Sequence, residues 1–386
     1  MFPVKATCNG KGKRVKYPPF FTSKEIDNMS RIYNFSADPA VLPLEVLQEA
    51  QKELVDYKGS GMSVMEMSHR GKEYDAIHQE AIATFKELCG LDDDWSVCFI
   101  QGGASMQFAM IPMNFLGKDQ VADYVKSGTW GGKAIKEAQK IGQVNIAADC
   151  QKDIPTRQPD ASEYKWTPGA AYSHICTNET ISGAEMKEIP ETGSPLIGDM
   201  SSDILSCPRD YSKFSMFYAG AQKNLGPSGM AVVAIRKEFA EKGDAALPTM
   251  LQYRTYIDDN SLYNTPPTWG IYIFGETMKW VKKMGKENLF KLNAEKAGKI
   301  YDVIDSTEFY RGTAKKEFRS NMNITWRLPT EELEAQFIAE AKKLGMGSLK
   351  GHRSVGGIRA SIYNAFPMEG VDALVSFMKD FEKKNG

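Results

Sequence analysis

The sequence predicts an α/β protein: a large domain on a mostly parallel seven-stranded sheet, then a smaller α+β domain. Three observations lead there. Short apolar runs of strand length occur at 96–100, 121–125, 144–147, 171–176, 196–199, 216–219 and 230–235. Segments with helical spacing separate the first of these runs, and that alternation favours a parallel sheet with crossover helices. After about residue 290 the texture changes to long polar helices around a pair of strands.

Taken in order, Leu44, Val46, Leu47, Ala50, Leu54 and Val55 recur at helical spacing after Pro43, a residue suited to a helix start. A second amphipathic stretch covers 74–88, and helices are expected at 106–114 and 130–140. Towards the C-terminus, helices at 288–305 and 330–344 flank strands at 321–327 and 357–361, and a helix over 371–382 closes the chain. The expected division is 45–287 for the large domain and 31–44 with 288–386 for the small one.

Residues 1–30 stand apart. Lys5, Lys11, Lys13, Arg14, Lys16 and Lys24 fall in a stretch with no acid before Glu25. A basic, acid-poor targeting peptide is one reading; the segment has little Ser, favours Lys over Arg and carries Pro18-Pro19, which favours a disordered or loosely docked extension.

Bulk properties exclude several function classes. The net charge of the 386 residues is -1, which gives no footprint for a nucleic acid or a membrane surface. No apolar run approaches the ~20 residues that span a bilayer. The six cysteines are scattered without a C-x-x-C pair, which argues against a zinc site and fits a reducing, cytoplasmic setting.

The chemistry concentrates around Lys223, in Tyr218-Ala219-Gly220-Ala221-Gln222-Lys223-Asn224-Leu225-Gly226-Pro227-Ser228-Gly229. An ordinary lysine is a solvated surface charge. This one follows an apolar strand among residues too small to cover it, so partial desolvation is expected to free a neutral, nucleophilic amine. Asp199 ends another apolar strand 24 residues earlier. Asp at a strand end is often only a turn residue. Pyridoxal phosphate (PLP), however, needs an anion beside its ring nitrogen and an amine to carry it, and Asp199 with Lys223 supplies both.

Further strings make a resemblance plain: Asn34-Phe35-Ser36-Ala37-Asp38-Pro39-Ala40-Val41-Leu42-Pro43, Met67-Ser68-His69-Arg70, Gly102-Gly103-Ala104-Ser105-Met106-Gln107-Phe108, Asn178-Glu179-Thr180 and Gly351-His352-Arg353-Ser354-Val355-Gly356-Gly357-Ile358-Arg359. Over 31–386 the chain resembles the phosphoserine aminotransferases, class V PLP enzymes of fold type I. The resemblance implies amino transfer between glutamate and 3-phosphohydroxypyruvate in serine biosynthesis.

It also implies roles. Lys223 carries PLP and Asp199 pairs with its ring nitrogen. Ala104 and Ser105 hold its phosphate at a helix N-terminus. Trp130 stacks on the ring, Thr180 bonds near it and Gln222 reaches the phosphate. Asn264 and Thr265 cross to a partner's cofactor, which implies a homodimer with shared sites. Arg359 is the expected fork for the substrate α-carboxylate. His69, Arg70, His352 and Arg353 are expected to receive the distal phosphate or carboxylate, and Ser36 to touch substrate. His78 and His174 read as structural. Asp38 stands where relatives carry Gly and is expected to point away from the anion pocket. The rivals are alanine–glyoxylate aminotransferase, which has no need of two His-Arg pairs, cysteine desulfurase, for which Cys207 beside Pro208 is poorly placed, and a PLP-free binding protein.

Overall fold

The computed structural model describes residues 31–386, so the basic extension lies outside the described residues. The seven apolar runs form one sheet. Across it the strands are Trp95–Gln101, Met230–Arg236, Met216–Gly220, Leu196–Asp199, Ser173–Cys176, Val121–Lys126 and Gln143–Asp149. Only Met230–Arg236 runs antiparallel to its neighbours.

Successive strand side chains point to opposite faces, and both faces are covered. Val97, Phe99, Phe217, Ala219, Val232 and Ala234 belong to the core on one face. Cys98, Ile100, Met216, Tyr218, Ala231 and Val233 belong to the core on the other. Strands buried on both sides are largely apolar, which is why they read as apolar runs. The Lys72–Cys89 helix supplies Ala81, Phe85 and Leu88 to the first core. The Gly103–Phe115 and Thr129–Ala138 helices close the second.

The 237–287 stretch carries no element in the sequence reading, yet the 17-residue helix Thr268–Met284 lies there. Ile271, Phe274 and Met278 enter the first core, while Tyr272 and Ile273 pack with Val46, Ala50 and Tyr74 in a separate cluster. The helix keeps a polar side, with Glu276, Lys279, Lys282 and Lys283 intermediate or exposed, so its helical period was present in the sequence and was missed.

The three-stranded antiparallel sheet orders Arg311–Gly312, Asn323–Arg327 and Ile358–Ser361. Its core holds Trp326, Ile324, Ile358, Ala360, Phe337 and Phe381. The helices Lys286–Asp305, Glu331–Lys343 and Met368–Asn385 contribute to the same cluster. Phe35 joins them from the other end of the chain, because Tyr33–Asn34 pairs with Met346–Gly347. That pairing has no local sequence signal. His78 and His174 are buried, with ring nitrogens 2.8 Å from the Asn260 carbonyl oxygen and 2.9 Å from the Tyr218 hydroxyl.

Candidate active site

The site lies at the carboxyl ends of the parallel strands, where open α/β sheets bind ligands. Asp199 ends its strand there, paired in register with Cys176 on one side and Tyr218 on the other. Directly after the Met216–Gly220 strand, the turn that carries Lys223 folds back, with Leu225 and Gly226 donating to the Ala221 carbonyl. Ala221 and Leu225 are fully buried, so this turn is locked from below.

Lys223 is itself buried, with 5 % of its surface exposed. Its Nζ donates to Thr180 Oγ1 at 2.7 Å and lies 5.6 Å from the Trp130 ring centroid. Asp199 is buried as well, and its Oδ1 accepts from Ser201 N at 2.9 Å. Burial pushes the Asp199 carboxyl above the ordinary carboxylate range, while the Ser201 hydrogen bonds and the Lys223 charge oppose that rise. An added cation at this spot, such as a protonated ring nitrogen, would favour the ionised form.

A cavity opens between these residues, lined also by Trp130, Thr180, Gln222, Ala104 and Ser105. The Gly102-Gly103 turn enters the Gly103–Phe115 helix with φ values of 94° and 63°, a left-handed path that glycine takes without strain. Gly102, Gly103, Ala104 and Ser105 at its start line the cavity, and first-turn N–H groups without an intrahelical acceptor can hold a phosphate.

The residues fit PLP on two counts. The indole Nε1 of Trp130 and the Oδ1 of Asn178 are buried polar atoms without a partner, both on residues lining the cavity. A buried amine, a buried carboxylate and a helix N-terminus also stand at separate points of it, matching the aldehyde, ring nitrogen and phosphate of the cofactor.

Arg359 sits beside this cavity. Its Nη1 donates to the Thr180 carbonyl at 3.3 Å, and it is half-buried. Burial lowers its pKa, an effect that Asp38 and Tyr363 counter. The loop before it turns at Gly356 and Gly357, both at positive φ. Half-buried His352 lies there, its Nδ1 2.7 Å from Ser354 Oγ, and its pKa is lowered by burial and by the charges of Arg359, Arg353 and Lys133.

Several expected residues do not line the cavity within one chain. Arg353 and Arg70 are exposed, and Arg70 Nε donates to its neighbour His69 Nε2 at 3.3 Å. Thr265 is exposed and Asn264 half-buried, with the Asn264 amide bonded only to the Thr265 carbonyl. Ser36 accepts from Asp38 N at 3.3 Å.

Asp38 requires a correction, since it lines the cavity instead of pointing away. The segment around it is pinned from both sides: Tyr363 donates to the Ala37 carbonyl, and Ala40 N donates to the Gln222 carbonyl. Those bonds turn the 37–40 backbone towards Lys223. Ser201, Ser202, Cys176, Asn178 and Phe108 also line the cavity and were not singled out from the sequence. For Ser201 and Ser202 the signal was available, because they directly follow Asp199 at the strand's carboxyl end.

The fold and this site define a PLP-dependent transferase on an α/β sheet. The model of the class V aminotransferases matches residues 32–374, and the chain belongs to that family. Its relatives there are phosphoserine aminotransferases. The one from Herpetosiphon aurantiacus is 53% identical over 358 residues, covering 92% of this chain and 99% of that protein. The solved phosphoserine aminotransferase from Bacillus circulans subsp. alkalophilus superposes with a TM-score of 0.89 at 53% identity, covering 92% and 99% of the two chains. The PLP-bound phosphoserine aminotransferase from Trichomonas vaginalis superposes with a TM-score of 0.87 at 41% identity, covering 90% and 100%.

Proposed function

We propose that this chain catalyses reversible amino transfer between L-glutamate and 3-phosphohydroxypyruvate, giving O-phospho-L-serine and 2-oxoglutarate for L-serine biosynthesis. The observation that carries the reading is the buried Lys223 amine, bonded to Thr180 in a cavity that Asp199 also lines. The substrate pair follows from the relatives' activity together with the cations gathered around Arg359.

PLP, when bound, supplies an electron-accepting ring that stabilises negative charge at the substrate Cα. The protein does the rest. Asp199 would hold the proton of the ring nitrogen, Trp130 would cover the ring face, and Ala104, Ser105 and Gln222 would hold the phosphate. Arg359 binds the α-carboxylate as a fork, fixing Cα near Lys223 Nζ. Lys223 Nζ takes the proton from Cα and delivers it again in the reverse direction. Ser36 contacts substrate, and His69, Arg70, His352 and Arg353 form the distal anion pocket.

The active assembly is a homodimer in which Asn264 and Thr265 of one subunit complete the partner's phosphate site. Support comes from their position outside the cavity of their own chain and from exposed Tyr263, Met65, Met62 and Met106. The small domain, 31–44 with 288–386, brings Arg359 to the large domain, 45–287. No helix among the described residues is long and apolar enough to cross a membrane. The five described cysteines are free thiols, and a cytoplasmic setting belongs to the same proposal.

The test is absorbance of the PLP-loaded protein, first with glutamate and then with 3-phosphohydroxypyruvate. Glutamate should bleach the visible band, and the phosphorylated keto acid should restore it. Equal cycling with alanine and glyoxylate would move the assignment to another class V enzyme.

A further inference from the structure

Glu179 is a fully buried carboxylate that the reaction as described does not use. It lies in the short strand Asn178–Glu179, directly before Thr180, the partner of Lys223. Its Oε2 accepts from Trp130 N at 3.2 Å, and its Oε1 accepts from Gly131 N at 3.2 Å and from Ser127 Oγ at 3.4 Å.

The two amides belong to the first turn of the Thr129–Ala138 helix, which has no side-chain cap from its own N-cap residue, Gly128. First-turn N–H groups have no acceptor inside their helix, so one buried there must find one elsewhere. Gly128 shows how closely the carboxylate is fitted. A Cβ at that position would meet Glu179 Cδ at 2.3 Å, so a side chain there would displace the carboxylate.

No cation pairs with Glu179 among the described residues' salt bridges. Burial pushes its carboxyl up to about 7, and the Gly131 and Trp130 amides pull against that rise. A buried acid without a counter-ion is an expensive way to hold a fold together. The expense makes sense where it fixes the direction of one ring.

We infer that Glu179 is a positioning residue for the cofactor: its carboxylate clamps the start of the helix that carries Trp130 and sets the indole over the cavity. Two consecutive residues then serve both sides of the cofactor, Thr180 through the Lys223 amine and Glu179 through the Trp130 backbone. The inference rests on the reading that Trp130 stacks on PLP.

The test is a double-mutant cycle read by PLP affinity, from titration of the cofactor into apo-protein. Glu179→Gln keeps the volume but turns one of the two acceptor oxygens into an NH2 donor, which then opposes either the Trp130 or the Gly131 N–H. It should weaken PLP binding about tenfold in the wild-type background. In the Trp130→Ala background the same change should cost almost nothing, because the group it acts through is gone. Losses that add in full overturn the inference and leave the stacking reading intact. A Trp130→Ala protein that binds PLP as tightly as wild type overturns the stacking reading and this inference with it.

Amide hydrogen exchange of the unaltered apo-protein gives an arm that does not depend on any variant folding. The Trp130 and Gly131 amides should be strongly protected, although both lie in a helix's first turn. Exchange at the rate of an open loop would overturn the clamp.

Discussion

Lys223 and Thr180 come from distant parts of the chain, and the Lys223 Nζ donates to the Thr180 hydroxyl at 2.7 Å. The Thr180 carbonyl accepts from Arg359 as well. One threonine therefore registers the amine that handles the substrate Cα proton against the arginine that holds its carboxylate. The hydroxyl can be removed without touching the carbonyl. Thr180→Val should lower kcat about fivefold, the worth of one ordinary hydrogen bond, with KM nearly unchanged. Steady-state kinetics decide it, and a rise in KM alone would show that the hydroxyl serves binding instead.

Lys223→Ala should abolish turnover and the visible band of the lysine-bound cofactor. Among the described residues, Lys223 is the only lysine lining the cavity. Wild-type-like activity in this variant would remove the basis of the whole assignment, and absorbance with a coupled assay measures both.

The shared site predicts complementation. Lys223→Ala is one inactive parent, and Asn264→Ala with Thr265→Ala is the other. Mixed dimers should contain one site with neither lesion and regain a fraction of activity. Failure to recover after subunit exchange has been verified would place Asn264 and Thr265 outside the partner's site.

Arg359 and Arg353 should separate in their effects. Arg359→Ala removes the α-carboxylate fork and should depress kcat/KM alike for phosphoserine, glutamate and alanine. Arg353→Ala should lower kcat/KM for phosphoserine about three- to fivefold, within the worth of a charge pair made by an exposed arginine. It should leave the cofactor band intact, because Arg353 lies away from the cofactor cavity. An Arg353 variant that keeps its preference for phosphoserine would remove this residue from the distal pocket.

Asp38 puts a negative charge on a cavity built to receive anions, with Arg359 within its electrostatic reach. The acid competes with the substrate carboxylate for that guanidinium. Asp38→Asn should lower KM for 2-oxoglutarate and for 3-phosphohydroxypyruvate by about threefold, within the range of an exposed ion pair, and leave kcat unchanged. The effect should shrink at high salt, where such pairs are screened. Unchanged KM values at low salt would mean that Asp38 and the substrate do not share Arg359.

Much of this was legible from residue order alone. Strands buried on both faces are largely apolar, so the interior strands declare themselves as runs such as the one that ends at Asp199, while the edge strand Gln143–Asp149 is mostly exposed or half-buried. The pairing of Asp199 with Lys223 was readable too, because both follow apolar strands and therefore emerge at the same edge of a parallel sheet. The Thr268–Met284 helix was readable and was missed: its polar side carries Glu276, Lys279, Lys282 and Lys283 at helical spacing opposite Ile271, Phe274 and Met278. What only the tertiary structure decided is where separately encoded groups converge. Nothing local places Tyr33–Asn34 beside Met346–Gly347, turns Asp38 into the cavity, or brings the Glu179 carboxylate onto the amides of Trp130 and Gly131. Those contacts span up to hundreds of residues, and their geometry is set by how the packed cores fix the backbones that carry them, a property that no stretch of sequence holds by itself.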